Sequence, residues 1–491
     1  MESPTPTPSE SGSPTVHPGG WPSEPPAKVC GNAELLSGPA TAPENAIVVP
    51  AGDNSGVDFS QAGQTYWFAP GVHTLGTDEY AQISPGDRAE FIGGPGAILD
   101  GQGMNMYAFT QQAKNVTIKY LTIQNFVAPM NEGTVNHDSG EDWTMQYLTV
   151  SNNGGAGIFL GAGNVASYNC LKDNSQYGFQ AYNDVGGASN IVLDHNEIVG
   201  NNTGDWEVKE PGCGCTGGGK FWDVRNVRVT NNYVHDNKSV GLWADTNDNN
   251  FLIEGNWIED NDGQGIFWET SYNVAIRNNV LKHNVVAEGQ RRLESPDDTF
   301  PDAAIYVSES GGDARLPHDL VGEPTVDISN NLIEDNYNGV TLWENADRFC
   351  GSLANTSSDY CTLVNPSVVS LQTCNETNIA DEPYYSDCRW KTQNVKVHDN
   401  TFKMDRANFF NCPTDKCGRN AILSNWGSYP DWSPYTADKI SKVILFDQGN
   451  VFSNNIYVGE WMFTVYETGQ LKTGAEWQAA PYSQDLGSTG L

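Results

Sequence analysis

The stretch that decides the fold runs from Asn226 to Asn284. It reads NVRVTNNYVHDNKSVGLWADTND from Asn226, NFLIEGNWIEDNDGQGIFWETSY from Asn250 and NVAIRNNVLKHN from Asn273. The three copies begin 24 and 23 residues apart. Further copies begin at Asn190, Thr325 and Asn394, and weaker ones near Asn115, Asp142 and Asn164. A fixed period of this length marks a repeat architecture. Within each copy apolar residues alternate with polar ones, as at Val227/Val229, Val274/Ile276 and Val326/Ile328. Leu252–Ile253 reads as a slip in that alternation. A period of two is that of a strand, and no helical segment intervenes. An Asn recurs at offset six (Asn196, Asn232, Asn256, Asn279, Asn331, Asn400) and another at offset eleven (Asn201, Asn237, Asn261, Asn284, Asn336). Equivalent Asn side chains stacked rung over rung can bond along the stack, and Asn tolerates left-handed turns. Three short strands per turn of about 23 residues make a single-stranded parallel β-helix, an all-β fold.

Here the chain resembles the right-handed parallel β-helix superfamily, the pectate-lyase-like group of secreted carbohydrate-active proteins. The resemblance covers roughly residues 60–460 and includes the opening segments TYWFAPGVHTL (65–75) and FIGGPGAILDGQG (91–103). The whole chain is similar to secreted β-helix repeat proteins of actinobacteria, which implies no particular substrate. What the superfamily implies is a polysaccharide-active enzyme with its cleft along one sheet. The polygalacturonase residues (Asn-Thr-Asp, Asp-Asp, Gly-His-Gly, Arg-Ile-Lys) and the Gly-Arg-Pro-Trp run of pectin methylesterases are absent. No known catalytic set therefore carries over by position.

On this coil residues 30–470 form one domain, with insertions at 204–219 and 345–393, and residues 471–491 cap its end. Val443–Asn450 reads as one or two further rungs, and Trp461–Glu467 as part of the cap. Residues 1–29 are rich in Pro, Ser and Thr and read as an extended linker that could tether the domain to a cell surface. No apolar signal region precedes them, so the chain is expected to begin after a removed export signal. Ten cysteines, six of them between 350 and 417, suit disulfides in an oxidising compartment better than zinc, whose paired spacing is missing. The expected short-range pairs are 350/361, 374/388 and 412/417, with Cys213 and Cys215 pinning their insertion to the scaffold or to Cys170. The protein is expected to be extracellular and monomeric.

The formal charge of −35 excludes a nucleic-acid partner, which needs clustered Lys and Arg. No stretch approaches the 18 apolar residues of a membrane span. The third strand of each repeat carries the unusual outward residues. They are Phe159, then Gln180 and Tyr182, Lys220 and Trp222, Trp243 and Asp245, Phe267 and Glu269, Tyr306 and Ser308, Thr341 and Trp343. A strip of aromatics on a rigid sheet suits sugar rings; the alternative is stacking that only stabilises the coil. Asp245 and Glu269 match in adjacent rungs, where their carboxyls are expected to lie roughly 5–6 Å apart. Mutual repulsion would raise one pKa and give an acid beside a base or nucleophile. Lys220, one rung earlier, reads as a substrate ligand, as the base of a β-elimination, or as the ion-pair partner of Asp245 or Glu269. Glu309, Glu344, Glu207, His137 and Asp138 map to the same strip or its turns and are candidate substrate contacts. Asp245-Thr246-Asn247-Asp248-Asn249 offers oxygens to Ca²⁺ without the Gly and distal Glu of an EF-hand. No cofactor is required, and Ca²⁺ is the one ion left open.

Three functions fit. The leading one is a glycoside hydrolase on a neutral or weakly charged polysaccharide. The alternatives are a lyase or epimerase on a uronate polymer with Lys220 as base, and a non-catalytic glycan-binding surface protein.

Overall fold

In the computed structural model the described residues are 19–491 except 111, 138–139, 183–187, 295–299, 346–347, 349–386, 409–411, 414, 425–437 and 467–469. They build a right-handed parallel β-helix of three long sheets. The first sheet runs over 13 strands from Ile47–Val49 to Val451–Ser453, and the second over 13 from Gly52–Asp53 to Ile456–Val458. The third begins later, at Gly133–Val135, and continues to Met462–Tyr466, which Leu471–Lys472 joins antiparallel.

The alternation read from sequence fills the core. Val227, Val229, Val274, Ile276, Val326 and Ile328 of the first sheet are buried, as are Ile158, Phe179, Phe221, Leu242, Ile266, Ile305 and Val340 of the third. The apparent slip at Leu252 disappears in the register. Phe251 pairs with Val227 and Ile253 with Val229, so the inward residues are Phe251 and Ile253.

Both Asn series line the interior of their turns. At offset six, Nδ2 of Asn169, Asn196, Asn232, Asn256, Asn279, Asn331 and Asn400 each donates to Oδ1 of the next rung's Asn at 2.9–3.2 Å, ending on Asn455. At offset eleven the chain of bonds runs from Asn153 through Asn174, Asn201, Asn237, Asn261 and Asn284 to Asn336. The left-handed backbone falls on the residue before the offset-six ladder, at Asn231, Asn278, Asn330 and Asn454. That is why Asn-Asn recurs there: the first turns the chain and the second satisfies it.

The ends depart from expectation. Ala27 and Val29, inside the stretch read as linker, are buried against Cys170. Glu197 Oε2 accepts from the backbone N–H groups of Val29 (2.6 Å) and Cys30 (2.7 Å), and Cys30 is disulfide-bonded to Cys170. Cys213 therefore bonds Cys215 rather than Cys170, while Cys412–Cys417 forms as its spacing suggests. Cys350, Cys361 and Cys374 lie outside the described residues. Disulfides of this kind persist in oxidising surroundings. Val443–Asn450, read as rung strand, instead belongs partly to a helix, Asp438–Phe446. The last rung comes from Val451–Ser453, Ile456–Val458 and Met462–Tyr466. Thr473 and Glu476 cap the short helix Gly474–Gln478, whose Trp477 stacks on Phe463 at 5.0 Å. Leu486 and Thr489 bridge to Ser453 and Ile456 and cover the coil's last edges. Among the described residues no helix is long and apolar enough to cross a membrane.

Candidate active site on the third sheet

The register of the third sheet sets the strip. Gln180, Lys220, Trp243, Phe267, Tyr306 and Thr341 pair in succession along one column. Tyr182, Trp222, Asp245, Glu269, Ser308 and Trp343 form the next. Rungs one strand apart lie about 4.8 Å from each other, so each side chain meets its rung neighbours.

The aromatic column is a stack more than an open platform. Trp243 and Phe267 lie 5.2 Å apart and nearly parallel, and Phe267 and Tyr306 4.7 Å apart. Phe300 stands edge-on between Tyr306 and Trp343. Trp243 is only 8% exposed and Phe159 2%, so these two are covered where a sugar-stacking surface was expected. Phe267, Tyr306, Trp343, Tyr182 and Trp222 keep part of their surface.

Five charged groups meet on this stack. Lys220 Nζ lies 2.7 Å from Asp245 Oδ2, donates to Gly214 O at 2.6 Å and sits 4.1 Å over the Trp243 ring. Of the roles open to Lys220, the ion pair with Asp245 is thus formed. Glu269 Oε2 accepts from Trp243 Nε1 at 3.0 Å, and Glu269 Oε1 accepts from Arg348 Nη1 at 2.7 Å. The same Arg348 nitrogen reaches Glu309 Oε2 at 3.0 Å. Burial, then the negative charge of Asp245, pushes the Glu269 carboxyl up to about 7, with Arg348 opposing. Burial also raises Glu309, against the opposing Arg348 cation. A carboxyl poised near neutrality beside a second carboxylate is the arrangement that acid–base chemistry needs.

The remaining candidates separate. Glu309 is buried, and accepts from Ser308 Oγ and the Asn345 backbone N–H; it holds Arg348 rather than facing a ligand. Glu344 is fully buried: it pairs with Arg389 and accepts from Thr392 N (3.0 Å) and Gln448 Nε2 (2.6 Å). It is structural, contrary to the expected substrate contact. Glu207 is exposed on the short helix Trp206–Lys209, accepts from Gly212 N and borders a separate cavity with Asp262 and Arg291. It does not swing over the carboxylate pair. Asp138 lies outside the described residues. His137, just past Gly133–Val135, stacks on Tyr107 at 3.7 Å and bonds Glu132 Oε2 through Nε2 at 3.0 Å.

His137, Gln180, Tyr182 and Lys220 share a cavity of about 400 Å³ with Tyr177, Trp222 and the Cys213–Cys215 loop. It adjoins the carboxylate pair on the side toward the start of the coil, because Lys220 and Trp222 are one rung from Trp243 and Asp245. Arg348, Glu132 and Tyr177 were not read from sequence. Each stands outside the alternation, in a loop or at a strand start, where spacing gives no direction.

The Ca²⁺-like run is divided between networks. Asp245 faces Lys220, whereas Asp248 is buried and accepts from the Val224 backbone N–H at 3.0 Å. Among the described residues no three His, Cys, Asp or Glu side chains are grouped to hold a metal.

Residues 133–321 match the family model described as the right handed beta helix region. No curated protein matches the chain. Among solved structures it is similar to the mannuronan C-5 epimerase AlgE4 A-module of Azotobacter vinelandii, at 12% identity over 73% of this chain and 86% of that one, with a TM-score of 0.45. It is similar too to the catalytic unit of a GH87 α-1,3-glucanase of Streptomyces thermodiastaticus, at 12% identity over 92% and 70% of the two chains, with a TM-score of 0.44. A periplasmic alginate epimerase, AlgG, matches at 10% identity over 87% and 78%, with a TM-score of 0.33. At such identities the likeness is one of fold.

Proposed function

We propose that the protein is a polysaccharide-active enzyme that hydrolyses glycosidic bonds of a neutral or weakly charged polymer at Asp245 and Glu269. The observation that carries this reading is the pair itself. Glu269 has its carboxyl pushed up to about 7, in register with Asp245 one rung away, and Asp245 is ion-paired with Lys220. Glu269 is the general acid: protonated near neutrality, it gives its proton to the leaving glycosidic oxygen. Asp245, ion-paired with Lys220, is the nucleophile or base. A rung spacing of about 4.8 Å lies closer to the separation of double-displacement enzymes than to that of single-displacement ones. Trp243 and Arg348 fix the Glu269 carboxyl, and the Cys213–Cys215 loop fixes Lys220 through Gly214 O.

The same ion pair counts against Lys220 as the base of a lyase or epimerase, since a base must be free to take a proton. Incubation with a panel of neutral and uronate polysaccharides, following reducing ends together with the ultraviolet absorbance of unsaturated uronates, tests the reading. Reducing ends without absorbance are expected. Absorbance rising with the reducing ends would replace hydrolysis by elimination, and binding with neither signal would leave a glycan-binding protein.

A further inference from the structure

On the side toward the start of the coil the cavity beside the pair is bordered by Asn131, Glu132 and His137. The third sheet starts at Gly133–Val135, and across that first rung lie Tyr107, Glu132 and His137, tied together by the Tyr107–Glu132 and His137–Glu132 bonds. The corner leading into the sheet is closed too. Gln176 Nε2 donates to Asn131 Oδ1 (2.9 Å) and to Cys215 O (3.1 Å), and Gln176 Oε1 accepts from Asn131 N (2.7 Å). This bridge joins the turn before one strand to the disulfide loop before another. A polymer threading past the carboxylates toward the start of the coil meets these walls.

The chemistry of the lining selects what fits. Lys220 already faces Asp245, and His137 already bonds Glu132. Among the described residues lining the cavity, no cation is left to meet a ligand carboxylate. Two buried polar atoms do lack partners there: the Tyr177 hydroxyl and Gln180 Oε1. Burial holds the Tyr177 phenol well above its usual pKa, so it stays an O–H donor. A sugar hydroxyl can accept from Tyr177 and a sugar hydroxyl can donate to Gln180, and an unmet buried polar atom gains most from such a partner. The volume of about 400 Å³ is at the small end of ligand pockets.

From this we propose that the cavity is a terminal subsite for one neutral sugar unit, bound through Tyr177 and Gln180, so that cleavage proceeds from a chain end. The proposal rests on the hydrolase reading for its cleavage step but not for its binding step.

Binding is read by saturation-transfer NMR with the methyl glycosides of glucose, galactose, mannose and xylose, against wild type, Tyr177→Phe and Gln180→Leu. At least one glycoside is expected to bind, and each variant to weaken it about tenfold. Tyr177→Phe deletes only an unpaired buried hydroxyl, so its Tm is expected to hold or rise, which separates lost binding from lost folding. No binding by any glycoside, or equal binding by wild type and both variants, would overturn the subsite. Rapid loss of polymer viscosity before short products appear would overturn action from the chain end. Binding that depends on Tyr177 and Gln180 without any reducing-end release would keep the subsite and remove the hydrolase reading instead.

Discussion

Two parts of the same coil follow opposite rules. At the Asn-lined turns each rung repeats its neighbour: the same amide, the same inward position and the same bond to the next rung at 2.9–3.2 Å. On the third sheet, 23 residues and one rung separate Lys220–Trp222 from Trp243–Asp245, and Lys220 pairs with Trp243 while Trp222 pairs with Asp245. The turns satisfy every ladder oxygen. The strip carries ion pairs, a carboxyl raised to about 7 and, where it lines the cavity, the Tyr177 hydroxyl and Gln180 Oε1 without partners among the described residues. Repetition marks what holds the coil together, and its interruption marks where chemistry can be placed.

The contrast can be broken at its regular side first. Asn256 donates twice to Asn279 and once to Val229 O, and accepts from Asn232. Asn256→Ala leaves several buried groups unmet and should cost about 3–5 kcal/mol, read by denaturant unfolding. Removing the Cys30–Cys170 bond with Ala at both positions is expected to cost about 2–4 kcal/mol and to free the segment held at Glu197. Protection of the Val29 amide from hydrogen exchange should fall in parallel; unchanged protection would show that Glu197 and packing suffice.

On the irregular side, Arg348→Met removes the cation that opposes protonation of Glu269. If Glu269 must be protonated to act, wild-type activity falls as pH rises through about 7. In the variant that falling limb should move upward, by about one pH unit. A limb that stays in place would detach it from Glu269. The smallest effect is at His398, which Asp327, and after it Asp399, raises to about 9. A raised histidine contributes stability that is complete below its unfolded pKa, near 6.5, and lost as pH rises through about 9. His398→Ala should flatten that slope in a thermal-melting series and leave activity unchanged.

The coil was legible in sequence because its determinants are local and repeated. The six-residue offset of Asn256 from Asn250 is visible without any long-range knowledge. The alternation of GLWAD and GIFWE also aimed Asp245 and Glu269 to the same column. What it could not give was cover. Glu344 follows the same strand, yet its partners come from Arg389, Thr392 and Gln448, brought in by chain that has no period. Arg348 enters the site from such a segment, and the Cys213–Cys215 loop closes over Lys220 from another. Periodicity predicts direction, whereas burial depends on what an insertion places on top.

The most direct measurement is reducing-end release by wild type, Asp245→Asn and Glu269→Gln on the polysaccharide that wild type cleaves best. Each amide keeps the size of the side chain it replaces but removes the charge or the transferable proton. Both variants are expected to lose about 10³-fold in rate while melting near the wild-type temperature. Full activity in both would contradict the assignment of the chemistry to this pair.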